Sequence, residues 1–494
     1  MNVLGVIALA MTIASGWFLA RALTRNAWKG PRWTGLLAEL SIGALFGPGL
    51  ASILYFFLVA AKAANRASVM VTLLALLAGS AALWWRISGA VEQKGVKQAA
   101  EPARAFRLTW ALWIGVAVAL IFFTLDFQAA SSANPAGEWD AMSIWNLRAR
   151  YLASGGDLWR RAVSSDLGGN MAGAAHPGYP LFLSGFIGLQ WSAEGGLESG
   201  FEASVPIAAS LLFATSALIL LGASLASRRS IALGLLAWLI LLCSEVFASQ
   251  SAAQYSDLLQ GLAFLCALVL LEAAADRADA RLLLAAGLAI GLSCWIKNEG
   301  LPFALAALAV SAWRFRLRGI VSVGLGALPG FLTLAVMKLF FVHGSEAVFP
   351  STVGEAMAKI AGAGRWWQAA LGFGKAVYDA GNLWTHPVLL AALLAIALGF
   401  VPAKERRARL WLVIPIAATA AAEYSLYLVT TADLNWHIST SVSRLVAQLW
   451  PSLIWFFFLM LRQPEETIEP ELEPVAVRSG PSGKRKRRGG ASLN

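Results

Sequence analysis

Five short polar clusters interrupt this chain, and each carries side chains able to do chemistry. The first, G-E-W-D-A-M-S-I-W-N-L-R-A-R (137–150), sets Glu138 and Asp140 two apart between Trp139 and Trp145. A carboxylate held at the mouth of a cavity can act as a general base. The structural alternative is an interfacial amphipathic helix whose acidic first turn is favoured by the helix dipole. In a helix beginning near Asp140, Trp145 and Leu147 face lipid, and Asn146 and Arg148 face elsewhere. The second cluster, A-A-H-P-G-Y-P-L-F-L (174–183), puts His176 before Pro177, in an extended or turn conformation. Its imidazole either contacts a phosphate or an acceptor, or belongs to a turn that aims the chain onto the membrane with Tyr179 as anchor. The third, Q-Y-S-D (254–257), sets Tyr255 and Asp257 at the outer start of an apolar run. There Asp257 is either a second acid in the cavity or, with Ser256, an N-cap.

The fourth cluster, W-I-K-N-E-G (295–300), breaks an apolar run with Lys297 and Glu299. Polar residues there line a cavity or form the water-facing tip of a helical hairpin. Lys297 supplies a point charge suited to phosphate. The fifth, D-L-N-W-H-I-S-T-S-V-S-R-L-V-A-Q-L-W-P (433–451), places His437, Ser441 and Arg444 at spacings of four and three. On a helix these share one face. A guanidinium beside an imidazole makes an anion site, and the plainer reading is a snorkelling arginine with a solvated cap. Taken together, carboxylates and phosphate-binding cations gather at one face of an apolar bundle. That suits a lipid phosphate with its tail in the bilayer and its headgroup in an outer cavity. No Walker A, G-x-G-x-x-G, G-x-S-x-G or H-E-x-x-H motif occurs. Cys243, Cys266 and Cys294 sit in apolar segments without C-x-x-C spacing, so neither a disulfide framework nor a cysteine zinc site is expected. The carboxylates lack a strong metal-ligand spacing, and no cofactor is expected.

The elements that must position these clusters are membrane spans. The chain has 494 residues, 58% hydrophobic and only 14% charged, with 21 Trp and 25 Phe and a mean hydropathy of +0.65. A soluble domain carries about 25% charged residues, so a soluble enzyme, a disordered chain and a collagen-like fibre are excluded. The reading is an all-α polytopic membrane protein of about thirteen transmembrane helices. The clearest runs are 3–20, 35–61, 68–86, 108–126, 203–227, 230–248, 257–275, 320–342, 411–430 and 444–462; shorter ones are 282–296, 300–313 and 388–402. Residues 3–20 read as a first span, not a cleaved signal, because no basic region precedes them.

Lys and Arg set the orientation. Alternate loops, around 21–32, 86–107, 228–229, 277–281, 314–318 and 404–409 and in the tail from 462 onward, hold 27 of the 39 basic residues. Those loops belong in the cytoplasm. The net charge of +11 therefore points to the bilayer, not to nucleic acid, and K-R-K-R-R (484–488) hugs anionic headgroups. The domain reading is N-terminal spans over 1–126, a first large outer loop with juxtamembrane helices over 127–202, and central spans over 203–342. A second outer loop (343–387), C-terminal spans (388–462) and a disordered cytoplasmic tail (463–494) follow. Residues 179–191, apolar but short, are expected as an interfacial or re-entrant helix lying on the outer leaflet. No internal repeat at a fixed period is visible, which weakens a secondary-transporter reading.

The order of the motifs E-W-D-A-M-S-I-W-N-L-R-A-R, H-P-G-Y-P-L, Q-Y-S-D, K-N-E-G and D-L-N-W-H-I-S-T-S-V-S-R-L resembles the GT-C superfamily of membrane glycosyltransferases. That group includes protein O-mannosyltransferases, lipid A aminoarabinose transferases and bacterial relatives. The motifs cover about sixty residues between roughly 130 and 450. The acids here are E-x-D in place of the usual D-E pair. The resemblance implies sugar transfer from a polyprenyl-phosphate donor to a glycan, lipid or protein acceptor at the outer face of a bacterial cytoplasmic membrane. It implies Asp140 as the base, with Glu138 beside it, and inversion at the anomeric carbon. Lys297, His437 and Arg444 would stabilise the departing phosphate, and His176, Tyr255, Asp257 and Glu299 would line the same cavity. No metal is required. The alternative is a transporter or flippase of a lipid-linked or anionic solute, which needs ionisable groups near the midplane.

Overall fold

The computed structural model describes residues 1–25, 27–92, 109–165, 176–277, 279–343, 349–381 and 386–467. The tail expected as disordered begins at 463, but its start forms a helical turn, Pro464–Thr467, with Pro464 and Glu465 buried; its remainder beyond 467 and the basic residues at 94–107 lie outside the described residues. Helix dominates, and among the described residues the only β contacts are two isolated bridges, Ser164 with His343 and Phe400 with Leu461. The first four helices are α1 (Val3–Thr24), α2 (Arg32–Ala60), α3 (Arg66–Glu92) and α4 (Thr109–Ala133). Then come α5 (Asn146–Ala153), α6 (Phe182–Glu194), α7 (Ser204–Arg228), α8 (Ile231–Leu242) and α9 (Glu245–Ala252). The central set is α10 (Asp257–Arg277), α11 (Ala280–Ile296) and α12 (Gly300–Phe340). The last part holds α13 (Val353–Ile360), α14 (Ala363–Tyr378), α15 (Pro387–Leu398), α16 (Ala403–Arg409), α17 (Val413–Val429) and α18 (Leu434–Met460).

Nine helical segments among the described residues are long and apolar enough to cross a bilayer. The helices α8 and α9 form a bent pair, kinked by 68°, that passes the same test together; α11 and α15 are shorter apolar helices. The run α12 folds back at Arg316 (φ 56, ψ −142) into two arms. Every run expected as a span is therefore helical over most of its length, with breaks at 243–244 and after Leu398. Their outward side chains are apolar, as Val71, Phe122, Leu332 and Ile396 illustrate, each more than half exposed. In water such a surface would aggregate, whereas a bilayer solvates it. This is a multi-pass membrane protein.

Small residues let the central helices close up. Along α11 and the second arm of α12, Gly287 meets Val323, Gly291 meets Ala327 and Gly330 meets Gly291, each so closely that an added methyl would strike backbone carbonyl. The register rises together along both segments, so they run parallel and the first arm of α12 runs against them. Lipid tails are as apolar as leucine, so close backbone approach of this kind, not hydrophobic burial, drives membrane-helix association.

Two expectations are corrected here. Helix α6 does not lie on the outer leaflet: all thirteen of its residues are buried. Tyr55 of α2 shares a hydrogen bond with Ser192 of α6 (2.7 Å), and Ser184 of α6 donates to the Trp145 carbonyl (2.8 Å), so protein walls α6 on several sides. Trp145 does not face lipid either. It has no exposed surface and stacks on Tyr179, with ring centroids 5.7 Å apart.

The bundle has two unlike ends. At one, Lys29 and Arg228 both bond Asp276 (2.7 and 2.8 Å), Arg228 also pairs with Glu272, and Arg229 donates to the Leu461 carbonyl (2.9 Å). Asp257 begins α10 and Asp276 lies near its other end. Nineteen residues at 1.5 Å each separate the two by about 29 Å, close to the thickness of a hydrocarbon core.

Candidate functional site

The segment that follows α4 is stitched to the turn before α10. The Glu138 amide donates to the Ala253 carbonyl (3.2 Å), and the Asp140 amide donates to the Tyr255 hydroxyl (3.3 Å). Asn146 donates to the Gln254 side chain (2.8 Å), whose amide reaches the Pro135 carbonyl (3.1 Å). Gln254 makes these bonds from a left-handed backbone (φ 61). Directly after Asp140 the chain takes a π-helical turn, Ala141–Trp145. Such turns cluster at functional sites, because the widened ring re-aims neighbouring side chains. These ties carry Asp140 to the N-terminus of α10.

There an unbroken chain of alternating charge forms. Arg444 donates to Asp140 (2.6 Å) and, through Nε and Nη2, to Asp257 (3.3 Å each). The other Asp257 oxygen accepts from Lys297 (3.0 Å) and from Gln448 (2.8 Å). Lys297 continues to Glu299 (2.9 Å). The guanidinium of Arg444 also lies over the Tyr255 ring, 4.3 Å from its centroid. Exposure falls inward: the side chains of Asp140 and Arg444 are 22% and 16% exposed, Lys297 is 3% and Asp257 is sealed. Burial holds the Tyr255 phenol protonated, pushing its pKa up to about 12.

The partners come from several elements. Asp257 opens α10, and Lys297 caps the C-terminus of α11, where Trp295 donates to Ser52 of α2 (2.8 Å). Arg444 and Gln448 lie one turn apart on α18, whose start is capped by Asp433 accepting from the Trp436 amide (2.9 Å). The fully buried Arg148 holds the second motif, donating to the carbonyls of Tyr179 (2.9 Å), His176 (3.1 Å) and Pro177 (3.0 Å). His176 turns with φ 36 and stacks on Tyr179 at 4.6 Å, so Trp145, Tyr179 and His176 form one aromatic stack. Burial lowers the His176 pKa against the pull of nearby Asp140 and Glu299.

Of the residues expected in the site, Asp140, Tyr255, Asp257, Lys297, Glu299 and Arg444 therefore meet, with His176 beside them. Glu138 does not join: it is exposed and accepts from Asn134 (3.0 Å). His437 stands two turns from Arg444, bonded to Thr430 (3.0 Å) and packed on Tyr427 (4.8 Å), outside the ion chain. Ser256 does not cap α10 through its side chain, whose hydroxyl is buried without a partner among the described residues. Lys297 sits at the tip of a helical hairpin as the plainer reading expected, but Lys297 itself is buried while Asn298 and Glu299 are partly exposed.

Two side chains escaped the sequence reading. Gln448 completes the coordination of Asp257. Glu423, on α17, is 4% exposed, and neither of its carboxyl oxygens has a hydrogen-bond partner among the described residues. As the sole charge in the run 411–430, it carried the signal of an intramembrane acid. No group of three or more potential metal ligands occurs among the described residues. Chemically, the arrangement offers two partly exposed carboxylates, Asp140 and Glu299 at its two ends, and two cations already saturated by acids. No family model, curated protein or solved structure matches the chain.

Proposed function

We propose that this chain is a membrane glycosyltransferase that moves a sugar from a polyprenyl-phosphate donor to an acceptor, with Asp140 as the general base. The observation that carries this reading is the Asp140–Arg444–Asp257–Lys297 chain, open at Asp140 and sealed at Asp257. The arginine-rich end lies in the cytoplasm, following the distribution of basic residues. The site then opens on the outer face of a bacterial cytoplasmic membrane, and the thirteen apolar helical segments are its spans.

The ion chain supports a specific order of events. Three carboxylates face two cations, so no cation is idle in the resting site. A donor phosphate displaces Asp140 from Arg444, because Asp140 is the more exposed of the two acids on that guanidinium. Asp257 stays and keeps Arg444 and Lys297 charged and in place. The freed Asp140 takes the proton of the acceptor hydroxyl, whose oxygen attacks the anomeric carbon with inversion. The carbon–oxygen bond to phosphate breaks, and polyprenyl phosphate leaves on Arg444 and Lys297. Preorganised charge of this kind lowers the barrier by several kcal/mol. A transporter would hold its charges near the midplane, whereas Asp257 and Lys297 lie at helix ends.

The test supplies purified protein in proteoliposomes with synthetic polyprenyl-phosphate hexoses and pentoses. Mass spectrometry then follows free polyprenyl phosphate and the glycosylated acceptor from an envelope extract. Donor consumption with matching product supports the transferase. Movement of the intact donor or of an anionic solute across the bilayer, with no covalent product, overturns it.

A further inference from the structure

At the end of the bundle opposite Asp257, the fold in α12 surrounds a cavity of about 240 Å³ lined by Ala275, Arg314, Phe315, Arg316 and Arg318. Three of these five residues carry a guanidinium, and no acid lines the cavity among the described residues. On a straight helix, positions two apart point to opposite sides. Arginines at 314, 316 and 318 share one cavity because the chain breaks at Arg316, which adopts φ 56 and ψ −142. Glycine takes that conformation freely, whereas an arginine there is strained and persists only where its surroundings over-determine it. Gly319 lets the two arms close, since a methyl at that position would strike the Ser311 carbonyl. We propose that this fold is a binding site for the phosphate of an anionic lipid headgroup.

The chemistry fits that ligand. A planar guanidinium fork matches phosphate oxygens and is weakly hydrated, so it accepts an anion in a recess more readily than an ammonium does. A neighbouring cavity of about 180 Å³ shares Ala275 and Arg314 but is also lined by Glu272, Asp276 and Glu405. Those acids repel an anion, which leaves the first cavity as the site. The commitment to a lipid over free phosphate comes from what brackets the arginines. Trp313, Leu317 and Ile320 are 70%, 72% and 52% exposed, so apolar side chains flank the recess where acyl chains would lie. Basic recesses between membrane helices bind headgroups in this way. The inference stands apart from the transfer reaction and concerns different residues.

Native mass spectrometry of the full-length protein, loaded with phosphatidylglycerol or with phosphatidylcholine and then exchanged through detergent, tests it. The wild type is expected to retain phosphatidylglycerol preferentially, and Arg314→Gln/Arg318→Gln to weaken that retention about tenfold or more. Lys404→Gln/Arg407→Gln removes the same charge from exposed positions at the same end and is expected to retain the lipid. Equal loss in both variants would reduce the effect to general attraction and overturn the site. A melting-temperature rise of the wild type with phosphatidylglycerol, absent with phosphatidylcholine, tests the claim even if the Arg314 and Arg318 variant fails to fold; no rise overturns it. Displacement of the lipid by millimolar inorganic phosphate alone would overturn the lipid assignment in favour of a free anion.

Discussion

With no accessible surface of its own, Asp257 faces Lys297, Arg444 and Gln448 at once. Replacing it with Ala removes the buried acid that both cations share and leaves Arg444 only Asp140 and Lys297 only Glu299, a loss approaching that of a broken buried pair, about 3–5 kcal/mol. Thermal unfolding in detergent should therefore show Asp257→Ala far less stable than Asp140→Ala, whose partner Arg444 keeps Asp257. His176 gives a pH signature. Burial places its pKa below the ordinary value of about 6.5, with Arg148 and Lys297 adding to the lowering and Asp140 and Glu299 opposing it. The unfolded chain then takes up a proton that the folded chain resists. The contribution of His176 is full above about pH 6.5 and is lost as pH falls through the lowered native value. Melting temperatures measured from about pH 7.5 to about pH 5 should fall less steeply for His176→Gln than for the wild type. At this scale the sequence was informative where a charge interrupted an apolar run, as at Asp257, Lys297 and Arg444. It grouped Glu138 and His437 with these residues, where the structure leaves them outside the ion chain, because spacing along one element does not say which neighbour that element packs against.

Helix placement was legible because an apolar run of membrane length has few other conformations open to it. Surroundings were not legible. The thirteen residues of α6 read alike whether lipid or protein covers them, and only the packing against α2 and α5 shows that protein does. One signal at this scale was present and went unused: G-x-x-x-G at 287–291 and at 326–330 marks the seam between α11 and the second arm of α12. Because α11 ends at Lys297, that seam also sets the height of the ion chain. Gly291→Leu should force the arms apart at a cost of about 1–3 kcal/mol or more. The measurements are a lower melting temperature and, in transfer assays, a loss of turnover although the substituted residue lies away from the ion chain.

Across the whole molecule, α10 joins two differently charged ends, the acid-bridged site at Asp257 and the arginine-rich end at Asp276. Orientation follows from that asymmetry. Cysteine placed at Glu138 should react with a membrane-impermeant maleimide added to intact cells, and cysteine at Lys404 should react only after the membrane is opened. The reverse pattern would turn the molecule over. Composition and the spread of Lys and Arg already pointed to this arrangement. What they could not supply was the meeting of Asp140 with Arg444 across 304 positions, since such a contact depends on how the helices pack. The central claim is that this contact is the resting state of a base. Release of free polyprenyl phosphate from a polyprenyl-phosphate sugar, measured side by side for the wild type and Asp140→Asn at equal folded amounts, tests it most directly. The account predicts a loss of about 10²–10⁴-fold in the variant with donor binding kept. Full release by Asp140→Asn would contradict it.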